Sequence, residues 1–430
     1  MSALTNRIAE DFASAAHTLP GGAAAAARRR SAISALATRG LPSSRDENWK
    51  YANLRSLERV RFLPAPPAQS LPASGELPQP LVGIARYLFI DGHFAPTASA
   101  TPFAGAAVRL LSPRGEDAMP GAAVAATDER FALLNEAFAS DGLTIDVPAS
   151  SATALQLEVL FLASAAAQSG ASYPRLEVRL APGTQLTLIE RHLSAGAEAS
   201  FVTSAVQVEI GRGARLEHYR LQELNARSIL FDTLSARLAE EATYRLHAIS
   251  SGAQAARSTL SLALAGERAE LALAVASLGD AQQVQDGYAV VEHAAPNART
   301  VQTFRGIAAG RARVAFNGKI IVAPGAHGTD SRQSLRGLLA GPEAEIDVRP
   351  QLEIYNDDVR CSHGATAGKL DDDMLFYLLS RGLDRDAAQR LLKWAFLEDV
   401  IAQIALRPLR RQVEERLAVQ LRDDALRELL

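Results

Sequence analysis

From about Val147 to about His363 the apolar residues of this chain alternate with polar ones, in LQLEVLFLA, RLEVRLA, QLTLIERHL, FVTSAVQVEI, RLEHYRL and TYRLHAI. A two-residue period puts one side of an extended segment inside and the other outside, so the stretch predicts half-buried strands and no helix. Turn-then-strand units recur through it as APGTQLTLI, GRGARLEHY, AEEATYRLH, GERAELALA, PNARTVQTF, AGRARVAFN and GPEAEIDVR. Most lie roughly 30 residues apart, a period that points to a solenoid in which each coil stacks on the last. A small residue stands in each turn, at Gly183, Ala214, Ala242, Ala269, Ala298, Ala312 and Ala344, where stacked backbones must approach closely. A β-sandwich gives the same alternation; the repeat favours a parallel β-helix core over residues 147–365.

The flanks have another texture. Residues 1–62 are rich in Ala, Arg, Leu and Glu, predicting a helical N-terminal region broken at Gly21–Gly22 and again at Pro42–Ser44. Residues 63–80 form a Pro-rich linker. Residues 81–146 read as a small α/β segment. Its YLFIDGHF turns at Asp91–Gly92 as a hairpin, and DERFALLNEAFA sets Phe131, Leu134 and Phe138 at helical spacing between Asp128 and the stop at Gly142. Residues 366–430 predict a helical C-terminal domain. Its helices run from Asp371 to Arg381 before Gly382, from Asp384 to Ile404, and onward from Pro408.

Composition removes several function classes. With 45 Lys plus Arg against 48 Asp plus Glu, no general basic field recruits nucleic acid or anionic lipid. The N-terminus, MSALTNRIAEDFASAAHTLP, resembles neither a signal peptide nor a membrane span, and a reducing cytoplasm is the expected address. The single cysteine, Cys361, allows no internal disulfide and no four-thiolate metal site.

The usual catalytic constellations are missing. There is no GxxxxGK[ST] loop, so ATP chemistry by a P-loop is not expected; HExxH and GxSxG are absent, and GRGARL at Gly211 lacks the third glycine of a dinucleotide fingerprint. One segment is dense in chemistry: LEIYNDDVRCSHGATAGKLDDD, from Leu352 to Asp373. On an extended backbone Cys361 and His363 share a face, so thiolate and imidazole can bind one soft metal or sulfur species, and Arg360 next door would favour the thiolate. The plainer reading makes Cys361 a small buried hydrophobe. Gly364 and Ala365 are expected to turn the chain into the helical tail. The nearby carboxylates Asp357, Asp358 and Asp371–Asp373 invite a carbohydrate-active β-helix enzyme, although the last three fit a helix N-terminus better.

The run AEIDVRPQLEIYNDDVRCSHGATAGKLDDDMLFYLLSRGL, Ala344 to Leu383, resembles the signature of the SufB/SufD family, scaffold proteins of SUF iron–sulfur cluster assembly. SRDENWKY, Ser44 to Tyr51, is similar to the N-terminal signature of its SufD branch. The resemblance implies a right-handed parallel β-helix core flanked by α-helical N- and C-terminal domains, and a non-enzymatic scaffold role. It also implies partners: the related SufB, paired through the β-helices, and the SufC ATPase, docked on the C-terminal helices. No nucleotide would then bind this chain itself. The chain reads CSHGAT where SufB-type chains resemble HEATT, and GTDSRQSL, Gly328 to Leu335, carries Ser331 and Ser334 and no cysteine. That favours the SufD branch over a SufB-like homodimeric scaffold, although isolated chains could still pair with themselves. Cys361 and His363 are the positions matching the family's functional residues. They imply an iron–sulfur cluster or iron site that is transient and shared with SufB at the interface. Motion of the docked ATPases would expose a buried Cys361. The apolar stripe Leu391, Leu392, Ala395, Phe396, Val400 and Ile404 serves either the tail's own core or the ATPase contact.

Overall fold

A computed structural model describes residues 3–68, 70–72, 75, 77–99, 107–110, 127–151, 154–164 and 170–421. The chain opens with α1 (Ala3–Ala15) and α2 (Ala23–Arg39). Then come β1 (Ala85–Ile90), β2 (His93–Phe94), β3 (Ala107–Leu110), α3 (Arg130–Phe138) and β4 (Leu143–Val147). The long strand series begins with β5 (Leu155–Ala163), β6 (Ala171–Ser172), β7 (Arg175–Leu180), β8 (Gln185–Ser194), β9 (Phe201–Ile210), β10 (Arg215–Glu223) and β11 (Ile229–Leu238). It continues through β12 (Thr243–Ser251), β13 (Ala255–Leu264), β14 (Glu270–Gly279), β15 (Val284–His293) and β16 (Arg299–Ala308). It ends with β17 (Arg313–Val322), β18 (Thr329–Leu339), β19 (Glu345–Ile354) and β20 (Val359–Gly368). The tail is α4 (Asp372–Ser380), α5 (Arg385–Ile401) and α6 (Arg407–Leu421); residues 422–430, expected to continue the last helix, lie outside the described residues.

From β7 onward successive strands alternate between two sheets, giving a parallel β-solenoid of about seven turns. The first sheet runs β2-β1-β5-β8-β10-β12-β14-β16-β18-β20 and the second β19-β17-β15-β13-β11-β9-β7-β4-β3. In the first sheet Gln185, Arg215, Thr243, Glu270, Arg299, Asp330 and Arg360 occupy one register position, at intervals of 30, 28, 27, 29, 31 and 30 residues. The solenoid period is therefore real, and the β-sandwich is excluded by the parallel ladder. That ladder reaches back to β1, which pairs in parallel with β5. The predicted hairpin joins β1 to β2, with Asp91 and Gly92 both at positive φ.

The seven turn residues picked from the sequence belong to two edges of the solenoid. Ala214, Ala242, Ala269 and Ala298 are fully buried and lead into the first sheet, whereas Ala312 and Ala344 lead into the second. At the first edge the coil that holds Gly183 is lined inside by Thr184, the next residue. Just before each inward residue the backbone is left-handed, with φ of 75° at Gly183, 62° at Gly213, 58° at Glu241, 56° at Arg268, 58° at Asn297 and 67° at Gly328. An L-residue in that region costs about 1–2 kcal/mol. Stacking holds it there: the amides of Gly183, Gly213, Glu241, Arg268 and Asn297 each donate to a carbonyl of the following coil at 2.8–3.1 Å.

Alternation sends one set of side chains into a shared interior of Leu, Val, Ile, Tyr and Phe and the other set outward. The outward faces are covered at both ends of the chain. On the second sheet, Phe201, Ile229 and Phe231 pack against Ile8, Phe12, Leu36, Phe131 and Phe138 of α1, α2 and α3. Trp49 is the peg of this contact. Its ring lies 5.3 Å from Phe131 and 6.3 Å from Phe231, Arg257 sits 4.5 Å above it, and its indole N–H donates to Asp128 at 2.7 Å. The SRDENWKY segment thus works as a docking element. On the first sheet, Tyr219, Ile249, Leu278 and Ile307 receive Leu397, Val400, Ile401, Ile404, Leu409 and Val413 from the tail. Asp371 and Asp384 cap α4 and α5, accepting from the amides of Met374 and Ala387.

Candidate functional site

Cys361 and His363 stand on β20, the last strand of the first sheet, whose only ladder neighbour among the described residues is β18. Cys361 is in register with Ser331 and His363 with Gln333. Being two residues apart on a strand, the pair shares the inward face, as expected. Cys361 is half-buried against the rim of the core, while His363 is exposed. The buried Cys361 of the sequence reading is therefore already partly open in the single chain. Burial pushes its thiol up, the Asp330 carboxylate adds to this, and a backbone hydrogen bond from Ser331 opposes it. The expectation that Arg360 favours the thiolate fails for a geometric reason: adjacent residues on a strand face opposite ways, and Arg360 points to solvent. Gly364 and Ala365, expected to form a turn, lie inside β20, which runs on to Gly368.

Beneath this pair the interior changes character. One inward column runs Leu216, Tyr244, Leu271, then Thr300, Ser331, Cys361. Its neighbour runs Leu246, Leu273, then Gln302, Gln333, His363. The last coils thus replace leucine by hydrogen-bonding side chains at the positions leading to the site. Gln333 Nε2 donates to Gln302 Oε1 at 2.5 Å and to the Gly318 carbonyl at 3.0 Å. Gly318 makes this possible: a Cβ there would sit 2.5 Å from Gln302 Oε1. Thr300 Oγ1 lies 2.9 Å from Nε2 of the fully buried His293.

A second polar cluster lies deeper in the solenoid. Glu190, wholly buried, takes two hydrogen bonds from Arg220 at 2.9 Å and approaches His192 at 2.8 Å and His218 at 3.2 Å. Arg220 also reaches Asp232 at 2.6 Å. Burial pushes the Glu190 carboxyl up, but Arg220 and the hydrogen bonds from His192 and His218 outweigh it and hold the carboxyl well below its usual range. Burial lowers His218 against the pull of Glu190. His192, Arg220, Gln222, Asp232 and Ser250 line an adjoining cavity of about 60 Å³. The guanidinium pairs with both carboxylates and the two imidazoles pack against Glu190, which makes the cluster an internal brace. Sequence reading missed both clusters. The signal was present in parity: in RLEHYRL, His218 and Arg220 share the inward phase of Leu216.

Among the described residues no group of three or more His, Cys, Asp and Glu side chains is placed to hold a metal ion. Iron–sulfur clusters take about four protein ligands, and Cys361 with His363 supplies at most two from one chain. Asp357 and Asp358 are exposed in the turn between β19 and β20, and Asp371–Asp373 cap and open α4. The helix expected to reach Ile404 ends at Ile401, and its apolar stripe divides: Val400 and, past the helix end, Ile404 are buried on the first sheet with Phe396 partly buried beside them, while Leu391, Leu392 and Ala395 line an open groove with Met374, Tyr377 and Leu378.

The family described as "SUF system FeS cluster assembly, SufBD core domain" matches residues 161–396. The chain is 32% identical over 385 residues to the iron–sulfur cluster assembly protein SufD of Escherichia coli, covering 89% of this chain and 90% of that one. It is 27% identical over 404 residues to a SufBD family iron–sulfur cluster assembly protein of Synechocystis, covering 90% and 89%. It is 29% identical over 243 residues to the chloroplastic protein ABCI7 of Arabidopsis thaliana, covering 56% and 51%.

Proposed function

The chain belongs to the SufB/SufD family of the SUF iron–sulfur cluster assembly system, and from that membership we propose that it is a SufD-type scaffold subunit that builds clusters only in partnership. The observation that carries this reading is the open end of the solenoid. Strands β19 and β20 are the last of their sheets, and among the described residues each has a ladder partner on one side only. An uncovered strand edge is a template for another chain. Ile354 and Tyr355 are 41% and 61% exposed beside it. The same end carries Cys361 and His363, two ligands of a set of about four.

A related solenoid, SufB, covers that edge and completes the site, so that the cluster or iron is held transiently between the subunits. The groove on α4 and α5 receives the SufC ATPase; Met374, Phe376 and Tyr377 are 59%, 72% and 56% exposed there. This chain has no P-loop of its own, and the nucleotide chemistry belongs to that partner. The subunit acts in the cytoplasm; no helix among the described residues is long and apolar enough to cross a membrane.

The test is an anaerobic affinity pull-down of the tagged chain from its native cytosol. Recovery of an ABC-type ATPase and a larger, cysteine-richer relative is expected; recovery of the chain alone, or only with itself, sinks the heterocomplex reading. In the co-expressed complex, Cys361→Ser and His363→Ala should each lower bound iron and sulfide while all subunits still co-elute. Full cluster content in both variants would make Cys361 structural.

A further inference from the structure

We propose that Gln333, locked in place by Gln302 and Gly318, is a positioning residue for His363, fixing which imidazole nitrogen is free to bind metal. The proposal rests on the reading of His363 as an iron or cluster ligand. It starts from an oddity of the interior. Gln302 and Gln333 are 0% and 4% exposed, yet Gln302 Nε2 and Gln333 Oε1 have no hydrogen-bond partner among the described residues. Ser331 Oγ, beneath Cys361, is likewise buried and without one. Buried polar atoms left unpaired are costly, and the preceding coils fill this column with Leu246 and Leu273 at no such cost. The column is polar once deeper in the solenoid, at His218, returns to leucine at Leu246 and Leu273, and turns polar again in the two coils below β20, ending under the two candidate ligands.

The donor hydrogens of Gln333 are committed to Gln302 and to Gly318. Its remaining group is therefore an acceptor, Oε1, one strand below His363 on the same inward face. In the single chain Oε1 does not bond the exposed His363 ring; neighbouring strands lie about 4.8 Å apart, so an imidazole turned inward by a covering partner comes within its reach. A ring N–H held by such an acceptor fixes the tautomer and leaves the opposite nitrogen with its lone pair available for a metal. Gly318 belongs to the device. Any side chain there would expel the Gln302 amide and release Gln333.

The variant Gln302→Leu/Gln333→Leu extends the leucine column by two coils and removes the acceptor. In the co-expressed complex carrying 15N-labelled histidine, the wild type is expected to show one dominant His363 tautomer and the variant a mixture, with no fall in the unfolding midpoint. In the co-expressed complex, ferrous iron binding should weaken at least about tenfold, the usual size of an outer-ligand effect. An unchanged tautomer ratio with iron affinity within about twofold of wild type overturns the proposal. If the double variant does not fold, Gln333→Met is measured in the same way. His363→Ala separates the two levels. Iron binding unchanged in that variant refutes the ligand reading, while the tautomer spectrum still decides whether Gln333 orients the ring.

Discussion

Arg305 of β16 grips Asp399 of α5 through Nε at 3.0 Å and Nη2 at 2.9 Å, while its Nη1 donates to the Ser334 carbonyl of β18 at 3.1 Å. One guanidinium therefore ties the helical tail to the strand that underlies β20. The side chain of Arg305 is nearly buried, so removing it strands polar groups as well as packing.

Arg305→Met is expected to cost about 1–3 kcal/mol, the penalty for leaving such partners unsatisfied. Amide hydrogen exchange should speed up across α5 and β18 while β8 to β12 keep their protection. Equal protection throughout would show that the tail is held by its apolar contacts alone.

Trp49→Ala removes a buried ring from between Phe131, Phe231 and Arg257. A loss of about 3–5 kcal/mol is expected, the range for truncating a large buried aromatic. Limited proteolysis should then release α1 and α2 before the solenoid is cut; simultaneous loss of both would mean that the N-terminal helices are integral to the solenoid's cooperativity.

Two interior glycines should differ in what alanine does to them. At Gly266 a Cβ would fall 1.9 Å from the backbone nitrogen of Glu240, and main chain cannot step aside. At Gly318 the neighbours are the ends of Gln302 and Gln333, which can rotate. Gly266→Ala should lower soluble yield and unfolding midpoint sharply, and Gly318→Ala should cost only about 1–3 kcal/mol, typical of overpacking. Equal losses in urea melts would contradict this ranking.

Acid should weaken the fold from within. Burial lowers His293 from 6.5 to about 4, so the unfolded chain takes up this proton before the folded one does. Its contribution is complete above about pH 6.5 and is lost as pH falls from there toward 4, for at most about 3 kcal/mol at 1.36 kcal/mol per unit. His218, also lowered by burial, acts in the same direction. Urea midpoints at pH 7.5 and 5 should therefore differ clearly in the wild type and less in His293→Gln. An equal pH dependence in that variant would remove His293 from the account.

The solenoid was legible because its period is written twice, once in strand alternation and once in the turns. What blurred it was that both edges use the same small residues: Ala298 and Ala312 look like successive repeats and belong to opposite edges of one coil. Cys361 and His363 stood out by residue type and by a dense surrounding motif. Gln302 and Gln333 did not, since a glutamine in an alternating strand reads as outward-facing, and only the register shows that it shares the phase of Leu273. Arg360 misled because proximity in sequence is not proximity in space on a strand. The role of Trp49 was invisible for the opposite reason: its partner Arg257 lies more than two hundred positions away, and no local pattern joins them.

A stacked array is most firmly held in its middle, where every coil has two neighbours, and least at a terminus, where a coil has one. The two candidate ligands, Cys361 and His363, stand on that least secured rung. A subunit without a partner is then the one whose final strands open first, and proteases read such openings. If a partner covers β20 as proposed, the abundance of this chain would be metered by the supply of that partner, and surplus copies would be marked for removal by the strand left bare.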